Sequence, residues 1–179
     1  MICNKLKDCV DAHFMGCADG ISCVNDETLC IESFDKRPQV KCEEKGKKYI
    51  YLNTKALEVV NYHMDGGVIK PDKTVPPMTQ KCDNVIVAKS NPQNAIFVEL
   101  KGEDVTHALE QLLATVLRES ELVKACGRLY ARIIMTCAAP RIQTTKEYKA
   151  LQKIILSKGG NIKLHTRQCV EKDIDLDVG

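Results

Sequence analysis

The chain has 179 residues, enough for one domain that buries a core without a metal or disulfide staple. Hydrophobic residues make up 44% and charged residues 28%, which excludes a wholly disordered chain, and a formal charge of +2 excludes a histone-like polycation. There is no run of about 18 apolar residues, and "MICNKLKDCVDAHFMGC" has no apolar stretch ahead of a small-residue cleavage site, so a soluble, cytoplasmic protein with no membrane partner is expected.

Six of the ten cysteines, Cys3, Cys9, Cys17, Cys23, Cys30 and Cys42, fall within residues 1–48. This segment reads as an irregular or short-stranded elaboration closing in "DKRPQVKCEEKGKK". The intervals between these cysteines hold five, seven, five, six and eleven residues, with no CxxC pair of the kind structural zinc sites use. Reduced thiols are the first reading. Zinc or an iron-sulfur cluster, helped by His13 four residues after Cys9, is the second, and would make the segment a metal-binding or redox module.

The α/β unit is expected over residues 49–170, with an acidic tail at 171–179 that frays, all within a single structural domain. In "NTKALEVVNYHMDGG", Asn53 or Thr54 can cap, Leu57, Val60 and Met64 stand at helical spacing, and Gly66-Gly67 stops the run, predicting a helix of about three turns. "VIKPDKTVPPMTQ" allows a short strand at Val68–Lys70 and then demands a loop. "DNVIVAK" and "AIFVELK" are β-branched and aromatic runs separated by the turn-forming "SNPQN", which predicts a hairpin.

"EDVTHALEQLLATVLRESELV" places Val105, Ala108, Leu109, Leu112, Leu113, Val116 and Leu117 on one helical face. "RLYARIIMTCAA" reads as a strand, "TTKEYKALQKIILSKGG" as a threonine-capped helix closed by glycines, and "NIKLHT" as a last strand. The order implies a mixed central β-sheet flanked by helices.

Glu99 and Lys101 end the second hairpin strand two residues apart, so their side chains share a face with Ala95 and Phe97. The hairpin brings Asp83 beside them, in phase with Val85 and Val87. Apolar residues on both phases of both strands mean a sheet buried on both sides, where stray charges are costly. Two neighbouring carboxylates repel unless one is protonated or a cation lies between them. Oxygen ligands with room for water suit magnesium or manganese.

Asp83, a gap of 15 residues, then Glu99-Leu100-Lys101 resemble the D…(D/E)xK core of the PD-(D/E)xK, or restriction-endonuclease-like, nuclease superfamily. The resemblance implies an αβββαβ core, read here from Asn53 to Thr136, with the last helix and strand as a C-terminal addition and the cysteine-rich segment as an N-terminal extension. It implies a metal-dependent phosphodiesterase, endo- or exonuclease, acting on nucleic acid, DNA rather than RNA. Asp83, Glu99 and Leu100 would hold Mg2+ or Mn2+ with the helix-borne Glu58, and Lys101 would be the catalytic lysine. Gln111 resembles the helical glutamine of RecB-like members, although Thr115 stands where a tyrosine is expected, and Cys82 replaces the proline before the aspartate. Cutting both strands would take a homodimer or a larger complex. The alternative is a nuclease-like binding or regulatory module without activity. His107, in the first turn of the strong helix, is near enough in sequence to reach the site, and Arg118, Lys124, Arg128 and Arg132 would contact phosphates only if they lined one groove.

Overall fold

A computed structural model describes residues 2–17, 30–136, 141–165 and 170–174, the last as main chain alone. The first element, α1 (Leu6–Met15), lies in the segment expected to be irregular. It buries Leu6, Cys9, Val10 and His13 at helical spacing and ends at Gly16 in the left-handed region. Half of that stripe is cysteine and histidine, so an apolar count does not reveal it.

Six strands form the main sheet, in the order β1 (Ile31–Asp35), β4 (Val59–His63), β5 (Asn84–Ala88), β6 (Asn94–Lys101), β7 (Arg128–Met135) and β8 (Ile162–His165). From β1 to β6 the neighbours are antiparallel, and β6, β7 and β8 are parallel. The crossover from β6 to β7 is α2 (Val105–Arg118) followed by α3 (Ser120–Ala125), and that from β7 to β8 carries α4 (Lys146–Ser157). A second sheet holds β2 (Gln39–Glu44), β3 (Lys47–Leu52) and β9 (Val170–Ile174), with β3 running across residue 48. The chain is thus α/β with a mixed, helix-flanked sheet, and no described helix is long and apolar enough to cross a membrane.

The main sheet is buried on both faces. Val85, Val87, Ala95 and Phe97 meet Leu109 and Leu112 of α2 and Leu151 and Ile155 of α4 on one side. Ile86, Ile96, Val98 and Leu100 meet Val40 and Cys42 of β2 and Tyr49 and Tyr51 of β3 on the other. The expected threonine cap is present, the Thr145 side chain accepting the Tyr148 N–H, and the Asp104 side chain caps α2 by accepting the His107 N–H. Gly160 lets β8 approach β7, since a Cβ there would lie 1.5 Å from the Leu129 carbonyl oxygen.

Four expectations are corrected. The helix expected from Asn53 is a loop followed by β4: Asn53 Oδ1 accepts the Leu57 N–H at 2.9 Å and its Nδ2 donates to the Leu57 carbonyl at 2.8 Å. Val60 and Val59 face opposite cores, so a strand apolar on both phases had mimicked a helical spacing. At Val68–Lys70 there are only isolated bridges, from Ile69 to Ile2 and Asp65. The long helix breaks at Glu119, leaving α2 with Leu117 59% exposed. The tail expected to fray supplies β9, parallel to β3. Residues 137–139 of the strand expected over 128–139, Thr166, and the tail beyond Ile174 lie outside the described residues.

Candidate active site

The β5–β6 ladder pairs Asn84 with Val98, and Asp83 extends it by donating its main-chain N–H to the Val98 carbonyl at 3.1 Å. The Asp83 side chain then replaces the next main-chain rung. Its Oδ2 accepts the Leu100 N–H at 2.6 Å. Glu99 and Lys101 continue the phase of Ala95 and Phe97 toward the helices, and Lys101 Nζ lies 3.5 Å from Glu99 Oε1. The expected juxtaposition of Asp83, Glu99 and Lys101 is therefore present.

Gln111 joins them. Its Oε1 accepts from Lys101 Nζ at 2.5 Å, and its Nε2 donates to the Lys81 carbonyl at 2.8 Å. One turn on, Thr115 Oγ1 accepts the Cys82 N–H at 2.8 Å and donates to the Gln111 carbonyl at 2.8 Å. Where the family resemblance expected a tyrosine, a threonine ties α2 to the residue before Asp83. Glutamine and threonine at i and i+4 share one helical face, so both grip the segment carrying the aspartate.

Burial dominates the electrostatics. The Glu99 side chain is 1% exposed, and burial first, then the Asp83 charge, push its carboxyl up to about 9. Burial likewise pushes Asp83 up to about 7, opposed by the Leu100 N–H and assisted by Glu44. Glu99 Oε2 is buried without a hydrogen-bond partner among the described residues. An orphaned carboxylate oxygen beside a second buried carboxyl is what a cation, or a retained proton, would relieve.

Glu44, at the end of β2, was missed by the sequence reading, which took "KCEEKGKK" as a charged stretch. It shares a hydrogen bond with Asp83. Burial raises Glu44, while Lys45 and the proton shared with Asp83 bring it below the usual carboxylate range. Only alternation along β2 marks it, since Val40 and Cys42 point inward in the same phase.

Glu58 is excluded from the site. It lies in the loop before β4, its carboxylate 2.6 Å from Lys89 and 3.8 Å from Lys36, at the end of the sheet opposite Asp83. The expected helix-borne acid fails because the helix is absent. His107 Nδ1 lies 3.6 Å from Glu110. The basic set does not form one exposed groove: Arg132 is fully buried over the Tyr130 ring, Arg118 donates to the Gln80 carbonyl, and Lys124 pairs with Glu121.

Among the described residues, no three His, Cys, Asp or Glu side chains form a ready-made metal group, at the acidic site or among the N-terminal cysteines. Cys3, Cys17, Cys42, Cys82 and Cys126 are free thiols, and Cys23 lies outside the described residues. At the acidic site the available donors are Asp83, Glu99 and the Leu100 carbonyl, the only ligand a leucine can offer. Two carboxylates with solvent completing the shell fit magnesium, which keeps several waters.

Compared with known protein families, curated proteins and solved structures, the chain matches none.

Proposed function

We propose that the chain is a metal-dependent nuclease that hydrolyses phosphodiester bonds in nucleic acid, DNA rather than RNA, in a reducing, cytoplasmic setting. The observation that carries this reading is the buried Asp83–Glu99 pair with an unpartnered Glu99 oxygen, next to a lysine held by a glutamine. The antiparallel run β4-β5-β6, crossover helix α2 and parallel β7 also follow the order that the restriction-endonuclease-like resemblance implies. Free thiols at five described cysteines accord with the compartment.

In this reading Asp83, Glu99 and the Leu100 carbonyl hold Mg2+ or Mn2+. Such an ion, when bound, acidifies water and offsets charge on a phosphoryl oxygen. Binding it also requires Glu99 to give up its proton, which ties activity to pH. Lys101 lies next to both Glu99 and the Gln111 side chain of the helix. Anchored by Gln111, its ammonium orients the attacking water or meets the negative charge that develops on the phosphate. The sheet edge at Lys101 and Met135 is also where the parallel strands β6 and β7 end, the side on which open α/β sheets place ligands.

The test uses wild type, Glu99→Gln and Lys101→Ala with single-stranded, duplex and branched DNA and RNA, in EDTA, magnesium or manganese. Metal-dependent cutting absent from both variants is the expected result. Cutting that survives in both would overturn the assignment. Mn2+ binding by wild type with no cleavage of any substrate would turn the reading to an inactive nuclease-like module.

A further inference from the structure

The break between α2 and α3 places an acid where the helical pattern asks for an apolar residue. The buried stripe of α2 runs through Ala108, Leu112 and Thr115, and its next step is Glu119, where the helix breaks. Glu119 is 6% exposed, and its Oε1 is buried without a hydrogen-bond partner among the described residues. Its neighbour Arg118 donates to the Gln80 carbonyl from Nη2 at 3.0 Å, while Nη1 is buried with no partner among those residues. The Arg118 charge eases the Glu119 carboxylate, yet one acceptor and one donor remain unbonded. Buried hydrogen-bonding atoms left so are costly until something meets them.

Both residues line a cavity of about 310 Å³. Residues 2–8, which hold the start of α1, and Glu121 and Leu122 of α3 complete its lining. The helical ladder of α1 begins with the Cys9 N–H bonding the Lys5 carbonyl at 2.9 Å, and Lys5 gives no side-chain cap. The N–H groups of Leu6, Lys7 and Asp8 thus stand ahead of the ladder, where an anion is favoured. Lys7 pairs with Asp11 and Glu121 with Lys124. Lys5 is then available to an anion, and Asp8 in the same turn opposes a highly charged one, which favours a single phosphate.

A fitting ligand carries donors for Glu119, an acceptor for Arg118 and an anionic group for α1. The pairing edge of guanine has N1–H and N2–H2 for a carboxylate beside O6 for a guanidinium, and a nucleotide adds the phosphate. We propose that this cavity binds a guanine nucleotide: Glu119 accepts from N1–H and N2–H2, Arg118 Nη1 donates to O6, and the start of α1 with Lys5 holds the phosphate. The site shares no residue with Asp83 and Glu99 and does not rest on the nuclease reading.

The full chain is titrated in a calorimeter at about pH 8, where the Glu119 carboxyl, raised by burial to about 7, is largely ionised. The probes are guanosine, inosine and adenosine monophosphates, and guanosine. Guanosine monophosphate should bind roughly 10–100-fold tighter than adenosine monophosphate, with inosine monophosphate, which lacks the 2-amino group, in between. Glu119→Gln, checked for folding by circular dichroism, should lose the preference for guanine over adenine. Lys5→Ala, at an exposed position, should weaken guanosine monophosphate roughly two- to fivefold and leave guanosine unchanged. Equal binding of guanine and adenine nucleotides, or binding of neither by wild type, overturns the proposal. A guanine preference that survives in folded Glu119→Gln overturns it too. If Glu119→Gln does not fold, the order of the three nucleotides on wild type decides. Guanosine weakened by Lys5→Ala as much as its monophosphate overturns the phosphate half.

Discussion

Asp83 Oδ2 accepts the main-chain N–H of Leu100 at 2.6 Å, so the aspartate is fastened to the middle residue of Glu99-Leu100-Lys101. The aspartate side chain and the backbone that carries Glu99 and Lys101 are thereby one unit. Asp83→Asn keeps an acceptor for that N–H, whereas Asp83→Ala leaves it without one. Denaturant unfolding should find Asp83→Ala less stable than Asp83→Asn by roughly 1–3 kcal/mol, with cleavage lost in both. Equal stability of the two would show that the hydrogen bond contributes nothing measurable.

The raised carboxyls carry a sign for stability against pH. Asp83 at about 7 and Glu99 at about 9 keep protons in the folded, metal-free protein that the unfolded chain releases near their ordinary values, and Glu119, raised by burial to about 7, acts the same way. The folded state binds more protons across that window, so stability is full below about pH 4 on this account and falls as pH rises through 7 to 9. Melting temperature of the metal-free protein should fall across this range. Glu99→Gln, which cannot ionise, should flatten the slope and melt above wild type at the alkaline end. A slope unchanged in Glu99→Gln would refute the assignment.

Gln111 holds Lys101 and the Lys81 carbonyl at once. Replacing it by leucine frees the ammonium without touching the acids. Cleavage should drop roughly 10–100-fold, chiefly in kcat, as for other residues that orient a functional group. Mn2+ affinity should change little. Wild-type kcat in Gln111→Leu would remove Gln111 from the site.

Thr115 Oγ1 is the acceptor for the Cys82 N–H, inside the core. Thr115→Val keeps the shape and deletes the acceptor, at a cost of roughly 1–3 kcal/mol, and lets the Asp83 backbone shift. Thr115→Ser should keep both stability and cleavage. If valine is tolerated as well as serine, the contact to Cys82 does not matter.

What could be read along the chain was whatever is local. The strands Asn84–Ala88 and Asn94–Lys101, the turn between them and the helix that follows are marked by adjacent residues, and the two-residue period then forces Glu99 and Lys101 onto one face with Asp83 across from them. Gln111 follows from the same register plus the family resemblance. The stretch before β4 misled for a physical reason: a strand buried on both faces has no alternation, and its apolar residues happen to fit a helical spacing.

Sequence therefore settled the hairpin, the crossover helix and the acid-acid-lysine grouping, because each depends on residues close in the chain. Tertiary structure alone decided which distant charges belong with them. It sent Glu58 to the far end of the sheet and paired it with Lys89, while the second sheet carried Glu44 to Asp83 and buried Lys47. It also decided how far the Asp83 and Glu99 carboxyls are pushed up, since the depth of burial between a helical layer and a second sheet is set by packing rather than by neighbouring residues.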